Sequence, residues 1–260
     1  MKICTLYSGS KGNAIFISAG GKNILIDAGK SSSRLCLALS EIGVPPADID
    51  AVFITHEHSD HTSALDIFIK KNKIPVHMVR ASASKLLSMG LDHLCECIVV
   101  HPLIYSVDLG GVTVTSFEVP HDSNSCVGYR ITFYENNIKK EVGIATDIGH
   151  LSESVISGLL DCESVIIEAN HDVEMLKFGR YPADLKKRIL SKRGHLSNED
   201  CGVLVSRLIE KNTRNILLAH LSEENNTPDT AYDEIASIIA GTDVHLEVAD
   251  PSFITKLIWE

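Results

Sequence analysis

The 260-residue sequence predicts an α/β fold built as a four-layer αββα sandwich, helix–sheet–sheet–helix. Three observations lead there. The opening third consists of short apolar runs split by turn residues. Both halves are strand-rich and completed by helical patterns. No linker or low-complexity segment separates the halves, so residues 1–260 are read as a single domain. The pattern alone leaves other layered α/β folds open.

The runs ICTLYS, AIFIS and NILIDA, separated by GSKGN and AGGKN, have the form of adjacent antiparallel strands. Residues 31–42 open with serine caps and place Leu35, Leu39 and Ile42 at helical spacing, until Gly43 and Pro45 end the pattern. AVFIT at 51–55 reads as a buried strand. From Asp60 to Lys71, Leu65, Phe68 and Ile69 mark an amphipathic helix, so HEHSDH sits between a strand and a helix. Further strands are expected at 75–79, 96–100, 112–118, 126–134 and 141–146. The later chain alternates helical patterns with SVIIEA, NILLAH and DVHLEV.

Hydrophobic residues make up 44% of the chain, enough for a continuous core. No stretch reaches the roughly 18 apolar residues of a membrane span, and the first residues lack the apolar region of a signal peptide. A soluble protein that stays in the cytoplasm, with no membrane partner, is expected. The seven cysteines (Cys4, Cys36, Cys95, Cys97, Cys126, Cys162, Cys201) are odd in number and scattered, which fits a reducing compartment better than a disulfide framework. Cys95 and Cys97 form a C-x-C pair in a strand-like stretch, and with no second pair nearby ordinary burial accounts for them. A formal net charge of −10 argues against nonspecific binding to nucleic acid or anionic membrane. The charge is uneven, however. Residues 177–193 carry seven basic side chains against Asp184, so this segment is +6 and the remainder −16.

The most informative stretch is Thr55-His56-Glu57-His58-Ser59-Asp60-His61, with three imidazoles and the Asp60 carboxylate, besides Glu57, in six positions. At an extended strand end, residues i and i+2 point the same way, so His56 and His58 can grip one cation. Asp60 and His61, where the chain turns into a helix, can face a second. Imidazole with carboxylate suits borderline divalent ions such as zinc, iron or manganese. Two coordination shells need more donors than these four. His121 after TVTSFEVP, Asp147 after VGIAT and His220 after NILLA are ligand-type residues at strand-to-loop boundaries.

In the order of these residues the chain resembles the metallo-β-lactamase superfamily, and the resemblance covers nearly its whole length. It implies the αββα sandwich of the metallo-β-lactamase type and two divalent transition metal ions. By that likeness His56, His58 and His121 bind one metal, Asp60, His61 and His220 the other, and Asp147 bridges them. Asp27 in ILIDAG supports the site. The full-histidine set lacks the Cys or Asn substitutions of true zinc β-lactamases, so antibiotic hydrolysis is not expected.

Three further stretches, SGSKGN (8–13), EANHD (168–172) and GHLSN (194–198), make the chain similar to the YycJ/WalJ (VicX) group, relatives of RNase Z and the β-CASP nucleases. The resemblance implies hydrolysis of a phosphodiester, with DNA, RNA or a smaller diester as partner. SGSKGN, with Ser10 and Asn13, offers small residues and backbone N–H groups as a phosphate cradle, or is a simple hairpin turn. GHLSN puts His195 before a helix capped by Ser197, where an imidazole, a hydroxyl and a helix N-terminus can converge on an anion. His195 is the expected proton donor or phosphate ligand, and His171 a second candidate for contact with substrate or a metal's surroundings. Asp60 is expected also to orient the attacking hydroxide. The basic run leads directly into His195. About seventy residues separate Asp147 from His220, too few for the β-CASP insertion, and no long arm like that of RNase Z is visible. The alternative is a thioester or lactone hydrolase of the glyoxalase II kind, which would need a C-terminal platform where residues 228–260 read as a helix and two strands.

Overall fold

A computed structural model describes residues 1–259. Its first strands are β1 (Lys2–Tyr7), β2 (Ala14–Ala19), β3 (Lys22–Ile26), β4 (Ala51–Phe53), β5 (Val76–Val79), β6 (Ile98–His101) and β7 (Ser106–Asp108). The rest are β8 (Val112–Glu118), β9 (Val127–Glu135), β10 (Ile138–Ala145), β11 (Ser164–Glu168), β12 (Asn215–Ala219), β13 (His245–Val248) and β14 (Thr255–Trp259). They form two seven-stranded sheets among the described residues, in the orders β14-β1-β2-β3-β4-β5-β6 and β13-β12-β11-β10-β9-β8-β7. β1 to β3 are antiparallel as expected, β3 to β6 are parallel, and so are β10 to β13.

Helices α1 (Ser32–Glu41), α2 (Ser59–Thr62), α3 (Leu65–Asn72) and α4 (Arg80–Leu86) belong to the first half of the chain. α5 (Glu153–Leu159), α6 (Val173–Phe178), α7 (Ala183–Ile189), α8 (Asn198–Ile209) and α9 (Pro228–Ile239) belong to the second. Three apolar clusters mark the three interfaces of the sandwich. Ile17, Ile24, Ile26 and Phe53 meet Tyr129, Ile131, Ile166 and Leu217 between the sheets. Phe16 and Leu25, the alternate residues of the same strands, pack with Leu35, Leu39, Leu65 and Phe68 under α1 and α3. Ile167 and Leu218 do the same with Leu204, Leu208 and Ile235 under α8 and α9. A strand buried on both faces has apolar residues at every position, which is why these strands appear in the sequence as unbroken runs.

Two expectations need correction. The helix over 60–71 is broken into α2 and α3, because the N–H of Ala64 donates to the carbonyl of Ala28 (2.8 Å) and the hydroxyl of Thr62 turns back to the carbonyl of His58 (3.0 Å). The Cys95–Cys97 pair lies in turns before β6, with Cys95 exposed and both thiols free. No helix among the described residues is long and apolar enough to cross a membrane.

Candidate metal centre

The site forms where the parallel strands of both sheets end. Asp27 follows β3, residues 55–61 follow β4, Asp147 follows β10, residues 169–171 follow β11 and His220 follows β12, while His121 follows the antiparallel β8. Three of these residues turn the chain sharply in the left-handed region, Asp27 at φ 63°, Asp147 at 59° and His220 at 58°. Few non-glycine residues adopt that conformation, Asp and His more readily than most, and such backbone turns concentrate at functional sites.

The seven expected donors come together. The rings of His56, His58 and His121 lie 4.5 to 5.2 Å apart, and their ligand-type nitrogens share a space less than 4.8 Å across. Asp60, His61 and His220 form a second such group. Asp147 stands between the two, with Oδ2 3.3 Å from His61 Nε2 and Oδ1 3.7 and 3.6 Å from the Nε2 atoms of His121 and His220.

The outward-facing nitrogens explain how the rings are aimed. His61 Nδ1–H donates to Asp27 Oδ2 (2.8 Å), His220 Nδ1–H to Glu168 Oε1 (2.7 Å) and His121 Nδ1–H to the Gly194 carbonyl (3.2 Å). His56 Nδ1–H donates to Thr55 Oγ1 (3.0 Å), whose hydroxyl in turn donates to Asp27. With Nδ1 occupied, each Nε2 points inward as a lone-pair donor. His56 Nε2, His220 Nε2 and Asp147 Oδ2 are buried without a hydrogen-bond partner, at a cost a protein does not usually bear. A divalent cation answers all three, and an imidazole and carboxylate set without thiolate fits zinc, iron or manganese.

The electrostatics agree with that fit. Burial opposes charge on His61 and on His220, yet Asp27, Asp147 and Asp60 hold His61 well above the ordinary imidazole value. Asp147, Asp60 and Glu168 push His220 up to about 10. Burial, with His61 and His121 adding to it, drives His56 well below that value. The carboxylates therefore demand positive charge at the centre of the cluster.

Sequence reasoning missed Glu168. It is wholly buried, its Oε1 accepts from His195 Nδ1 (2.8 Å) and His220 Nδ1, and its Oε2 accepts from the N–H groups of Ile148 (2.6 Å) and Leu196 (3.0 Å). The available signal was a carboxylate closing the apolar run SVIIE, on the strand beside the one that ends in His220.

A cleft of about 240 Å³ opens over the cluster. His58, Asp60, His121, Asp147, His195 and His220 line it; Ser10, Asn170 and Ser222 add polar walls; Tyr181, Leu185, Arg188 and Ile189 add another. Three residues expected on the substrate side do not line it. Asn13 is buried, and its amide faces Asp60 Oδ2 (3.3 Å) and His61 Nε2 (3.1 Å). Ser197 spends its hydroxyl capping α8 through the N–H of Asp200 (3.1 Å). His171 is buried, bridges to Ser197 and turns Nδ1 toward Asn170 (3.3 Å).

The 8–13 loop meets the cleft through Ser10, while three of its N–H groups are already spent within the protein. The N–H groups of Gly9, Gly12 and Asn13 bond to Asn13 Oδ1 and to the carbonyls of Gly9 and Asp60, so the loop buttresses the Asp60–His61 turn. Much of the basic run is also engaged. Arg193 donates to the carbonyls of His121 and Ser123, Lys186 to those of Lys177 and Gly179, and Arg188 pairs with Asp122.

Donor clusters of this kind, set at strand ends in a two-sheet sandwich, define a class, the metal-dependent hydrolases. Residues 8–125 match the family model described as the metallo-beta-lactamase superfamily. The chain is 32% identical to the exodeoxyribonuclease YycJ of Bacillus anthracis, over 97% of this chain and 96% of that one. It is 33% identical to the exodeoxyribonuclease WalJ of Streptococcus pneumoniae, over 96% of this chain and 94% of that one. The metallo-beta-lactamase fold protein YhfI of Bacillus subtilis superposes with a TM-score of 0.71 over 100% of this chain and 99% of that one, at 17% identity, a likeness of fold alone. The chain belongs to the metallo-β-lactamase superfamily, in the family of the exodeoxyribonucleases YycJ and WalJ.

Proposed function

We propose that the chain is a two-metal phosphodiesterase acting on nucleic acid in the cytoplasm, with residues 1–260 working as one domain. His56, His58 and His121 hold one divalent ion, Asp60, His61 and His220 the other, and Asp147 reaches both. Bound zinc, manganese or iron supplies Lewis acidity, activating water and offsetting charge that builds on the phosphoryl oxygens. Asp60, at the edge of the cleft, also orients the attacking water.

The observation that carries this reading is the pair His195–Glu168. His195 lines the cleft without belonging to either donor trio, and its Nδ1–H is fixed on Glu168, which leaves Nε2 as the nitrogen free for substrate. Burial opposes its protonation, but Glu168 outweighs burial and raises its pKa above the ordinary imidazole value. A protonated His195 beside the scissile group can donate to the departing oxygen, which a phosphodiester with a poor leaving group requires. The names of the relatives YycJ and WalJ, exodeoxyribonucleases over nearly the full length, support the same substrate class.

The thioester reading lacks its platform. Residues 228–259 form α9, β13 and β14, and the two strands close the edges of the two sheets. The test is to incubate the metal-loaded protein with end-labelled single- and double-stranded DNA and RNA, bis-p-nitrophenyl phosphate and S-lactoylglutathione. Phosphodiester cleavage that Asp147→Ala abolishes is expected. Turnover of the thioester with every phosphodiester intact would overturn the reading.

A further inference from the structure

The cleft is chemically lopsided. Its floor is entirely imidazole and carboxylate, and Ser10, Asn170 and Ser222 add only small polar groups, whereas one stretch of chain supplies nearly all the carbon surface. That stretch runs from Tyr181, in the bend just before α7, along the inner side of α7, where Leu185, Arg188 and Ile189 follow helical spacing and so share one face. The polar side chains Asp184 and Lys187 fall off that face and are exposed.

The wall is held rigidly. Lys186 Nζ donates to the carbonyls of Lys177 (2.8 Å) and Gly179 (2.7 Å), the N–H of His195 donates to Ile189 (3.0 Å), and Arg188 is paired with Asp122, next to His121. Tyr181 differs from the chain's buried tyrosines. Tyr129 and Tyr105 bond each other, whereas the Tyr181 hydroxyl has no partner among the described residues and its ring stands half-buried at the cleft.

We propose that this wall is a nucleobase subsite: the base of the nucleotide at the scissile phosphate stacks on Tyr181 against Leu185, and Arg188 exchanges Asp122 for a backbone phosphate. The assignment rests on the nuclease reading above and adds how the strand is gripped. Flat apolar surface beside a polyanion-processing floor matches a nucleotide, which joins a planar ring to an anionic group within one residue length. Stacking is indifferent to base identity, so the subsite recognises a strand without reading its sequence. A glutathione-like chain offers no ring to fill it.

The experiment compares two oligonucleotides, one intact and one abasic at the nucleotide being released. The wild type is expected to favour the intact strand by about tenfold in kcat/KM, mostly through KM. Tyr181→Ala should erase that preference and Tyr181→Phe should keep it. Cleavage of both strands by the wild type without preference would overturn the subsite and leave the nuclease reading standing. A preference that survives Tyr181→Ala would overturn it too, since the base would then be held elsewhere. Failure of the wild type to cleave either strand would remove both.

Discussion

A carboxylate sealed from water must have its oxygens answered by donors, and Glu168 meets that demand with four: two imidazoles on Oε1 and two backbone N–H groups on Oε2. Glu168→Gln cannot repeat it, because either orientation of the amide turns an NH2 toward two donors. Each donor left unsatisfied costs about 1–3 kcal/mol. A lower melting temperature and a loss of about 10- to 100-fold in metal affinity and activity are expected, measured by thermal melts and metal titration. Wild-type values in both would show that the four bonds are dispensable. His195→Ala separates the two roles. It should keep metal binding while lowering kcat about 100-fold on an unactivated diester, and far less on a nitrophenyl ester, whose leaving group hardly needs a proton. Equal large losses on both would indicate phosphate binding instead. The seven donor positions were visible in the sequence because four of them crowd into HEHSDH and His121, Asp147 and His220 each follow a strand-like run. Glu168 was not, because its partners come from three other segments, around Ile148, at His195–Leu196 and at His220, and only the fold brings them together.

At the scale of elements, the Asp60–His61 turn depends on segments distant in sequence. The N–H of Asn13 donates to the Asp60 carbonyl (2.7 Å), that of Gly29 to Asn13 (2.8 Å) and that of Ala28 to His61 (2.8 Å). Gly29 sits inside this interlock, where a Cβ would lie 1.5 Å from the Asp60 carbonyl oxygen and 2.6 Å from the Asn13 nitrogen. Both are backbone atoms, which no rotamer change can move. Gly29→Ala should therefore displace Asp60 and His61 while sparing His56, His58 and His121, taking metal content from about two ions per chain toward one. Elemental analysis reads this directly, and two retained ions at an unchanged melting temperature would contradict it. The same interlock marks where the sequence misleads. Leu65, Phe68 and Ile69 keep helical spacing whether or not α2 and α3 are continuous, so the capture of the Ala64 N–H by Ala28 leaves no trace in periodicity. The glycines and small residues of SGSKGN fit a phosphate cradle and a buttress equally well, and the buttressing bond of Asn13 runs to the Asp60 carbonyl, 47 residues away, where no local pattern could show it. The strands buried on both faces were legible, because such burial writes an uninterrupted apolar run, whereas β7, exposed at Ser106 and Asp108, was not expected.

Across the whole molecule, the two sheets are joined on one flank by a column of rings that has no part in the metal centre. Phe53 stacks on His77 (4.6 Å), His77 Nδ1 shares a hydrogen bond with His101 Nε2 (2.9 Å) and His101 stacks on Tyr105 (4.0 Å). The Tyr105 hydroxyl meets that of Tyr129 (3.0 Å), which donates to the Ile54 carbonyl (2.7 Å). A single N–H joins the two imidazoles, and burial disfavours a charge on either of them. Burial, reinforced by His101, pushes His77 down to about 4, and burial lowers His101 as well. An unfolded His77 returns to an ordinary value near 6.5. Between those values the unfolded chain binds more protons than the folded one, so stability rises with pH there. The contribution is fully present above about pH 6.5, is lost progressively as pH falls toward about 4 and loses nothing further below. His77→Phe keeps a ring on Phe53 and removes the titration. Melting temperatures of wild type and variant, followed from pH 7.5 to 4.5 under the same metal concentration, should converge or cross as pH falls, with the variant losing less. The acid response of the metal centre is common to both proteins and cancels in the difference. Parallel profiles would show that His77 charges as easily in the folded protein as in the unfolded one, and that the column does not hold it neutral.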